Sequence, residues 1–135
     1  HLYNSDVSII NSKINGNEVY STSSGSGSSG AGIMMKYSNP TINNVEIVNN
    51  NSYDRGGGIF IDYDSHPNII STTISNNSAI PNLDVPYNGF LGSRCGGICV
   101  STGGGFPSSL NLINSILWNN SPEEIYLSSN TSAQM

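Results

Sequence analysis

The stretch PNIISTTISNNS, residues 67–78, decides the fold, because its pattern occurs three more times along the chain. It aligns without gaps with DVSIINSKINGNE (6–18), PTINNVEIVNNN (40–51) and SLNLINSILWNNS (109–121). In every copy an asparagine stands three residues after an aliphatic residue, and these asparagines are Asn17, Asn50, Asn77 and Asn120. Self-similarity of this kind is the sequence signature of a repeat protein.

A second short segment follows each copy: GAGIMMKY (30–37), GGGIFIDY (56–63), CGGICVST (95–102) and EEIYLSS (123–129). The aliphatic residues of both segments fill four columns without a polar residue. These columns are Ile9, Ile42, Ile69 and Leu112; Ile14, Ile47, Ile74 and Leu117; Ile33, Ile59, Ile98 and Ile125; and Met35, Ile61, Val100 and Leu127. The second segments are spaced by 26, 39 and 27 residues, so the middle interval contains an insertion.

Apolar residues alternate within the second segments, as in Ile33, Met35 and Tyr37, and again in Ile59, Ile61 and Tyr63. This period of two predicts strands that direct these side chains, the tyrosines included, into the interior. Strands this short cannot fold alone, whereas stacking in a parallel solenoid pairs each one with its neighbours. We therefore predict an all-β single domain over residues 1–135 with about four rungs of 26–27 residues. The recurring asparagines would stack as a hydrogen-bonded ladder.

The composition narrows the function classes. The chain has 20 Asn, 24 Ser and 15 Gly among 135 residues, and 10 % of its residues are charged. Only four residues are Lys or Arg and the net charge is −5, which argues against a nucleic-acid partner. No apolar run approaches 18 residues, so we expect no membrane insertion of this segment. Because the chain begins with His1, we expect a mature form or a fragment of a longer solenoid.

The asparagine motif followed by GAGI, GGGI or CGGI resembles a degenerate repeat of the polymorphic outer membrane proteins, whose pattern pairs F-x-x-N with G-G-A-[ILV]. More broadly, the chain resembles right-handed parallel β-helix proteins of the pectate-lyase-like superfold from about Asp6 to Ser129. It departs from the stricter pattern in having Ile or Leu where Phe is usual, and Glu123 and Glu124 where glycines are usual. The resemblance implies a secreted or cell-surface protein, often an adhesin.

Length variation is concentrated at one corner of the predicted rung. The distance from the aliphatic residue of the asparagine motif to the next strand isoleucine is 19, 12, 24 and 8 residues in successive repeats. Loops are therefore inserted at about 18–31 and 79–95, on one side of the solenoid. The second loop offers candidate binding residues, namely Leu83, Asp84, Tyr87, Phe90 and Arg94. It either contacts a glycan or protein, or folds back to cover an apolar seam or a solenoid end.

Asp62, Asp64 and His66 form the most suggestive polar cluster. If the strand continues straight, the two carboxylates share its outer face, and a calcium ion could bind between them. Pectate-lyase-like enzymes bind calcium through carboxylates on the outside of the helix. In the alternative interpretation, Asp62 has a structural role, because ladder alignment places Lys36 beside it on the neighbouring rung. Apart from this calcium ion, no cofactor is predicted.

Catalysis is the minority hypothesis. A polyuronate lyase needs cations to neutralise its substrate, and the four available are scattered along the chain. No nucleophile motif, phosphate-binding loop or zinc-ligand spacing is present, and no catalytic residue is assigned.

Cys95 and Cys99 are too far apart to bond on one straight strand, but a turn through Gly96 and Gly97 could join them. Alternatively, Cys99 occupies the outward row that also contains Met34, Phe60 and Tyr126. We favour a disulfide or free thiols over a metal site.

The leading hypothesis is a non-enzymatic extracellular or cell-surface β-helix that acts in adhesion, through glycan or protein contact by the loops on one corner. The alternative is a structural subunit that self-associates through open solenoid ends and builds a fibre. The third is a polysaccharide lyase-like enzyme centred on Asp62, Asp64 and His66.

Overall fold

The computed structural model describes residues 1–20, 29–80 and 95–135, and almost all regular structure there is short β-strand. The strands are β1 (Leu2–Tyr3), β2 (Ser8–Ile10), β3 (Lys13–Asn15), β4 (Glu18–Val19), β5 (Ile33–Lys36), β6 (Thr41–Asn43), β7 (Glu46–Val48), β8 (Asn51–Ser52), β9 (Ile59–Asp62), β10 (Asn68–Ile70), β11 (Thr73–Ser75), β12 (Ser78–Ala79), β13 (Ile98–Val100), β14 (Ser109–Ile113), β15 (Ile116–Trp118), β16 (Ile125–Leu127) and β17 (Ser132–Gln134). The helical structure in these ranges is one 3-10 turn, Gly103–Gly105. Within them, no helix has the length and apolar character needed to cross a membrane.

Every strand pairing is parallel, and the strands form four sheets. Sheet A has the order β1-β5-β9-β13-β16, sheet B β2-β6-β10-β14-β17, sheet C β3-β7-β11-β15 and sheet D β4-β8-β12. The chain therefore visits the sheets in the order A, B, C, D and then returns to A one rung higher. Four turns contribute strands to sheets A, B and C, while β16 and β17 begin a fifth. This architecture confirms the predicted all-β parallel β-helix.

The predicted aliphatic columns are the core. Strand register pairs Ile33 with Ile59, Ile59 with Ile98 and Ile98 with Ile125, and the other three columns pair in the same way. In the middle rungs these side chains are completely inaccessible to solvent, as at Ile59 and Ile74. Burial of one such side chain stabilises the fold by about 1.5–3 kcal/mol. The stacked aliphatic side chains thus supply the main stabilisation of the solenoid.

The asparagine ladder, formed by Asn17, Asn50, Asn77 and Asn120, lies beside this core. Asn77 donates its backbone N–H and its side-chain amide to Oδ1 of Asn120, at 3.0 and 2.9 Å. Asn50 donates to Asn77 in the same way, and Asn17 to Asn50. The side-chain amide of Asn77 also donates to the carbonyl of Ile47. Because Asn50 and Asn77 are fully buried, each of these bonds satisfies a group that water cannot reach.

Glu124 closes the asparagine ladder in the last rung. Its carboxylate accepts the backbone N–H of Asn120 at 3.2 Å and also accepts the Asn120 side-chain amide. The carboxylate therefore supplies the acceptors that Asn120 supplies to Asn77. The loss of the glycine pair at residues 123 and 124 thus introduces a side chain that completes the ladder.

Two columns of residues in the left-handed conformation bend each rung on either side of sheet C. One column is Asn11, Asn44, Ser71 and Asn114, with φ between 47° and 55°, and the other is Gly16, Asn49, Asn76 and Asn119, with φ between 55° and 68°. Asparagine and glycine tolerate this conformation better than other residues do. The abundance of asparagine in the sequence is therefore a consequence of the corners as well as of the buried ladder.

The glycine runs allow neighbouring backbones to approach. A Cβ atom on Gly57 would lie 2.2 Å from the carbonyl oxygen of Ser78, and one on Gly96 would lie 2.2 Å from that of Ser121. Neither position can therefore hold a side chain without displacing the next rung. These glycines therefore make room for a neighbouring backbone.

The prediction that Tyr37 and Tyr63 point into the core is wrong. Strands β5 and β9 end at Lys36 and Asp62, and the two tyrosines that follow are left-handed, with φ of 51° and 48°. This conformation interrupts the alternation of side chains, so the rings lie outside the aliphatic core. Tyr37 is 36 % exposed.

Candidate functional site

Four aromatic side chains form a continuous column on the outside of the corner between sheets A and B. This aromatic ladder consists of Tyr3, Tyr37, Tyr63 and Phe106. The ring centroids of Tyr37 lie 5.9 Å from Tyr3, 5.4 Å from Tyr63 and 6.2 Å from Phe106. Tyr3 is 62 % exposed and Phe106 49 %. Such tilted and edge-to-face pairs stabilise one another while leaving part of each ring accessible.

The turn at Gly103–Gly105 brings Phe106 to the aromatic ladder. A Cβ atom on Gly103 would lie 2.4 Å from Oδ1 of Asp62 and 2.5 Å from the ring of Tyr63. Glycine is therefore needed for the turn to pack on this ring. Behind the turn, the backbone N–H of Asp64 donates to the carbonyl of Phe106 at 3.4 Å. The position of Phe106 is thus set by contacts between two rungs.

Lys36 provides a cation at the centre of the aromatic ladder. Its Nζ lies 4.9 Å from the centroid of the Tyr63 ring, within the range of a cation–π interaction. Strand register also pairs Lys36 with Asp62, as the ladder alignment predicts. The cation of one rung is therefore held over the aromatic ring of the next.

Asp62 and Asp64 lie in different environments. Asp62 is 6 % exposed, and its Oδ1 accepts the backbone N–H of Gly103 at 2.7 Å. Asp64 is left-handed and exposed, and its Oδ1 lies 3.1 Å from Nε2 of His66. The other ring nitrogen of His66 lies 2.8 Å from Oγ of Ser109.

The straight strand assumed for the calcium site therefore ends at Asp62. The left-handed turn at Tyr63 and Asp64 removes the shared outer face on which that prediction rested. In the described ranges, no group of three or more His, Cys, Asp or Glu side chains is placed to hold a metal ion. In the structure, Asp62 bonds to Gly103 and Asp64 to His66, and both contacts hold the turn between sheets A and B.

The electrostatic environment of the aromatic ladder changes the titration of its central residue. Partial burial, followed by the neighbouring phenols of Tyr3 and Tyr63 and the carboxylates of Asp62 and Asp64, raises the pKa of Tyr37. A carboxylate disfavours a second negative charge nearby, so Asp62 and Asp64 add to the effect of burial on this pKa.

The outer corner between sheets B and C forms a shallow polar groove of about 440 Å³. Its lining includes Lys13 and Glu46, which form an exposed ion pair at 2.7 Å. Asn44 donates its side-chain amide to Oδ1 of Asn11 at 2.8 Å in the same groove. Because these polar groups already bond to one another, the groove is a weaker candidate than the aromatic ladder.

The candidate binding residues of the second insertion, namely Leu83, Asp84, Tyr87, Phe90 and Arg94, lie outside the described residues. The two insertions, predicted at about 18–31 and 79–95, fall between β4 and β5 and between β12 and β13. Both therefore connect sheet D to sheet A.

Cys95 and Cys99 are joined as a disulfide, with their Cα atoms 5.6 Å apart. The turn through Gly96 and Gly97 brings the two residues together. Cys99 also pairs in register with Phe60 and Tyr126, the row predicted to face outward. Phe60 and both cysteines are buried in a second small apolar cluster, together with parts of Met34 and Tyr126. The row therefore lies outside the main core but is covered.

Sequence reasoning overlooked the aromatic ladder, although its signal is visible. Tyr37 and Tyr63 end two equivalent segments, GAGIMMKY and GGGIFIDY. Strict alternation assigns both to the interior, but the left-handed conformation of the two tyrosines interrupts the alternation. The contribution of Phe106 depends on a turn that only the third and fourth rungs together define.

Comparison with known proteins adds no identification: no protein-family model, curated protein or solved structure matches the chain.

Proposed function

We propose that this protein is a non-enzymatic, secreted or cell-surface β-helix that acts in adhesion through the outside of the corner between sheets A and B. The observation that supports this function best is the aromatic ladder, which exposes Tyr3, Tyr37 and Phe106 at one corner of the solenoid. The exposed rings are held by a rigid parallel scaffold, so little side-chain freedom is lost when a partner binds. Aromatic side chains are enriched among the residues that dominate binding energy.

Three further features support an extracellular setting. The disulfide between Cys95 and Cys99 is typical of oxidising compartments. Only 10 % of the residues are charged, and asparagine and serine supply much of the polar surface. The GAGI, GGGI and CGGI segments also resemble those of the polymorphic outer membrane proteins and of the broader pectate-lyase-like superfold. We infer an adhesin-like role from that resemblance.

The matched pair Tyr3→Ser and Tyr20→Ser tests this proposal. The two side chains are similarly exposed, at 62 % and 66 %, but Tyr20 packs against Tyr53, outside the aromatic ladder. Wild type and both variants would be applied to arrays of glycans and of immobilised extracellular matrix proteins. We expect Tyr3→Ser to weaken binding at least tenfold and Tyr20→Ser to leave it unchanged. Binding that survives Tyr3→Ser combined with Tyr37→Ser would contradict the use of this surface.

A second candidate function is assembly into an extracellular fibre. Sheet C supports it, because its outermost strands, β3 and β15, have no neighbour on their outer edges among the described residues. An unpaired edge is a template for another strand. Sedimentation velocity over a range of concentrations tests the idea: a fibre subunit gives a growing series of oligomers, whereas a constant monomer contradicts it.

A further inference from the structure

The aromatic ladder already holds one cation within the protein. Nζ of Lys36 lies 4.9 Å from the ring centroid of Tyr63, whose ring also contacts the turn at Gly103 and Gly104. A tyrosine ring attracts a cation because its face carries partial negative charge. The adjoining rings of Tyr37, Tyr3 and Phe106 have similar faces, and they are more accessible. The cation–π interaction that Lys36 makes with Tyr63 is therefore open to a cation from outside the chain at the neighbouring rings.

Negative charge predominates around these exposed rings. Asp64 is 57 % exposed beside the aromatic ladder, and Asp62 lies beneath it. Asp6 accepts the backbone N–H of Asn39 on the same side, two residues beyond Tyr37. Among the described residues, Lys36 lies over the ring of Tyr63, and His66 contacts Asp64. The raised pKa of Tyr37 is consistent with this negative potential, and the whole chain has a net charge of −5.

We propose that the aromatic ladder and Asp64 together bind a guanidinium group, supplied by an exposed arginine side chain of a protein partner. The inference rests on the proposed adhesion function and specifies its ligand. A guanidinium ion stacks on an aromatic face and donates hydrogen bonds to a carboxylate at its edge. Both kinds of group are present here, and the phenol oxygens of Tyr3 and Tyr37 are further acceptors.

Other ligands match this surface less well. A metal ion would need several converging carboxylates, but Asp62 is buried and bonded to Gly103, and Asp6 already accepts the backbone N–H of Asn39. A neutral glycan would not use the negative potential. A primary ammonium ion would be attracted, but it lacks the planar form that stacks on a ring and pairs with a carboxylate at once.

Four small probes test the proposal on the full chain by NMR. Three are acetylated and amidated tripeptides with glycine on both sides of arginine, citrulline or lysine, and the fourth probe is a neutral cello-oligosaccharide in place of a peptide. Citrulline has the shape of arginine without its charge. We expect the arginine peptide to shift the ring resonances of Tyr3, Tyr37 and Phe106 and to bind about two- to fivefold more tightly than citrulline for each ring it contacts.

Two variants locate the effect. Asp64→Asn keeps a residue that tolerates φ of 55° and should reduce arginine binding toward that of citrulline. Tyr20→Ser should leave arginine binding unchanged. Equal binding of arginine and citrulline overturns the proposal, and so does equal binding of lysine and arginine. Shifts of the aromatic ladder by the oligosaccharide alone overturn the guanidinium ligand but support the proposed function. Adhesion that is lost in Tyr3→Ser without any arginine response has the same meaning.

Discussion

The asparagine ladder and the aromatic ladder are built by the same repetition but meet different surroundings. Asn50 and Asn77 are fully buried, and their amides bond to the rungs on both sides. Tyr3 and Tyr37 also stack rung on rung, but their rings face solvent. In the first column the buried amides of Asn50 and Asn77 have partners within the chain, whereas in the second the apolar faces are only partly covered.

This difference separates stability from binding. The polar groups of a buried column must form hydrogen bonds within the chain, because an unpaired polar group in the interior destabilises the folded state and cannot bond to water instead. An exposed column can leave part of its apolar surface uncovered, and that surface is available to a partner. We therefore expect changes in the asparagine ladder to alter unfolding, and changes in the aromatic ladder to alter recognition.

The largest effect should come from Asn77→Ala. The substitution removes the acceptor of two Asn50 hydrogen bonds, removes the donor to the carbonyl of Ile47 and leaves a cavity. We expect the free energy of unfolding to fall by about 3 kcal/mol, measured by urea denaturation. Asn111→Ala is the control: its amide donates one bond to Asn68 on the outer face, and we expect a loss under about 1 kcal/mol. Equal losses in the two variants would contradict the distinction between buried and exposed columns.

A smaller effect is expected at the end of the buried column. Glu124→Ala removes the carboxylate that accepts the backbone N–H and the side-chain amide of Asn120, which is 7 % exposed, and should lower the free energy of unfolding by about 1–2 kcal/mol. Glu124→Gln retains one acceptor oxygen and should lose less. Glu123→Ala removes an exposed carboxylate from the same turn and should leave the denaturation midpoint near that of wild type. If Glu123→Ala were as destabilising as Glu124→Ala, general charge would explain the effect better than closure of the ladder.

The smallest effect concerns titration in the exposed column. Because Asp64 contributes to the raised pKa of Tyr37, Asp64→Asn should lower that pKa toward its ordinary value near 10. A raised pKa favours the neutral phenol in the folded state, so its contribution to stability is present below pH 10 and is lost as pH rises through the folded-state pKa. NMR titration of the Tyr37 ring measures the shift, with Tyr20 as an internal reference. An unchanged pKa in the variant would place Asp64 outside the electrostatic reach of the ring.

Much of the fold could be predicted because the repeat aligns its own contacts. The column of Ile33, Ile59, Ile98 and Ile125 requires the parallel register that the structure shows. The buried asparagines were equally visible, since one residue type recurs at one place in each rung. The aromatic ladder was not predicted, because Tyr37 and Tyr63 themselves adopt the left-handed conformation directly after β5 and β9, which redirects their side chains away from the interior that alternation assigns to them. The contributions of Phe106 and Glu124 depend on contacts that do not repeat.

The sequence by itself determined the parallel stacking, the aliphatic core and the asparagine ladder, because each arises from similar residues at equivalent positions of successive rungs. The glycine runs are also visible in the sequence, and the structure gives the reason for Gly57: a neighbouring backbone leaves no room there for a Cβ atom. Only the tertiary structure decided which side chains remain exposed at the corners. Backbone conformation at one residue can redirect a side chain, and the turn of one rung can cover or extend the surface of another. The aliphatic columns and the asparagine ladder could therefore be predicted from the sequence, whereas the surface proposed for recognition depended on contacts between rungs.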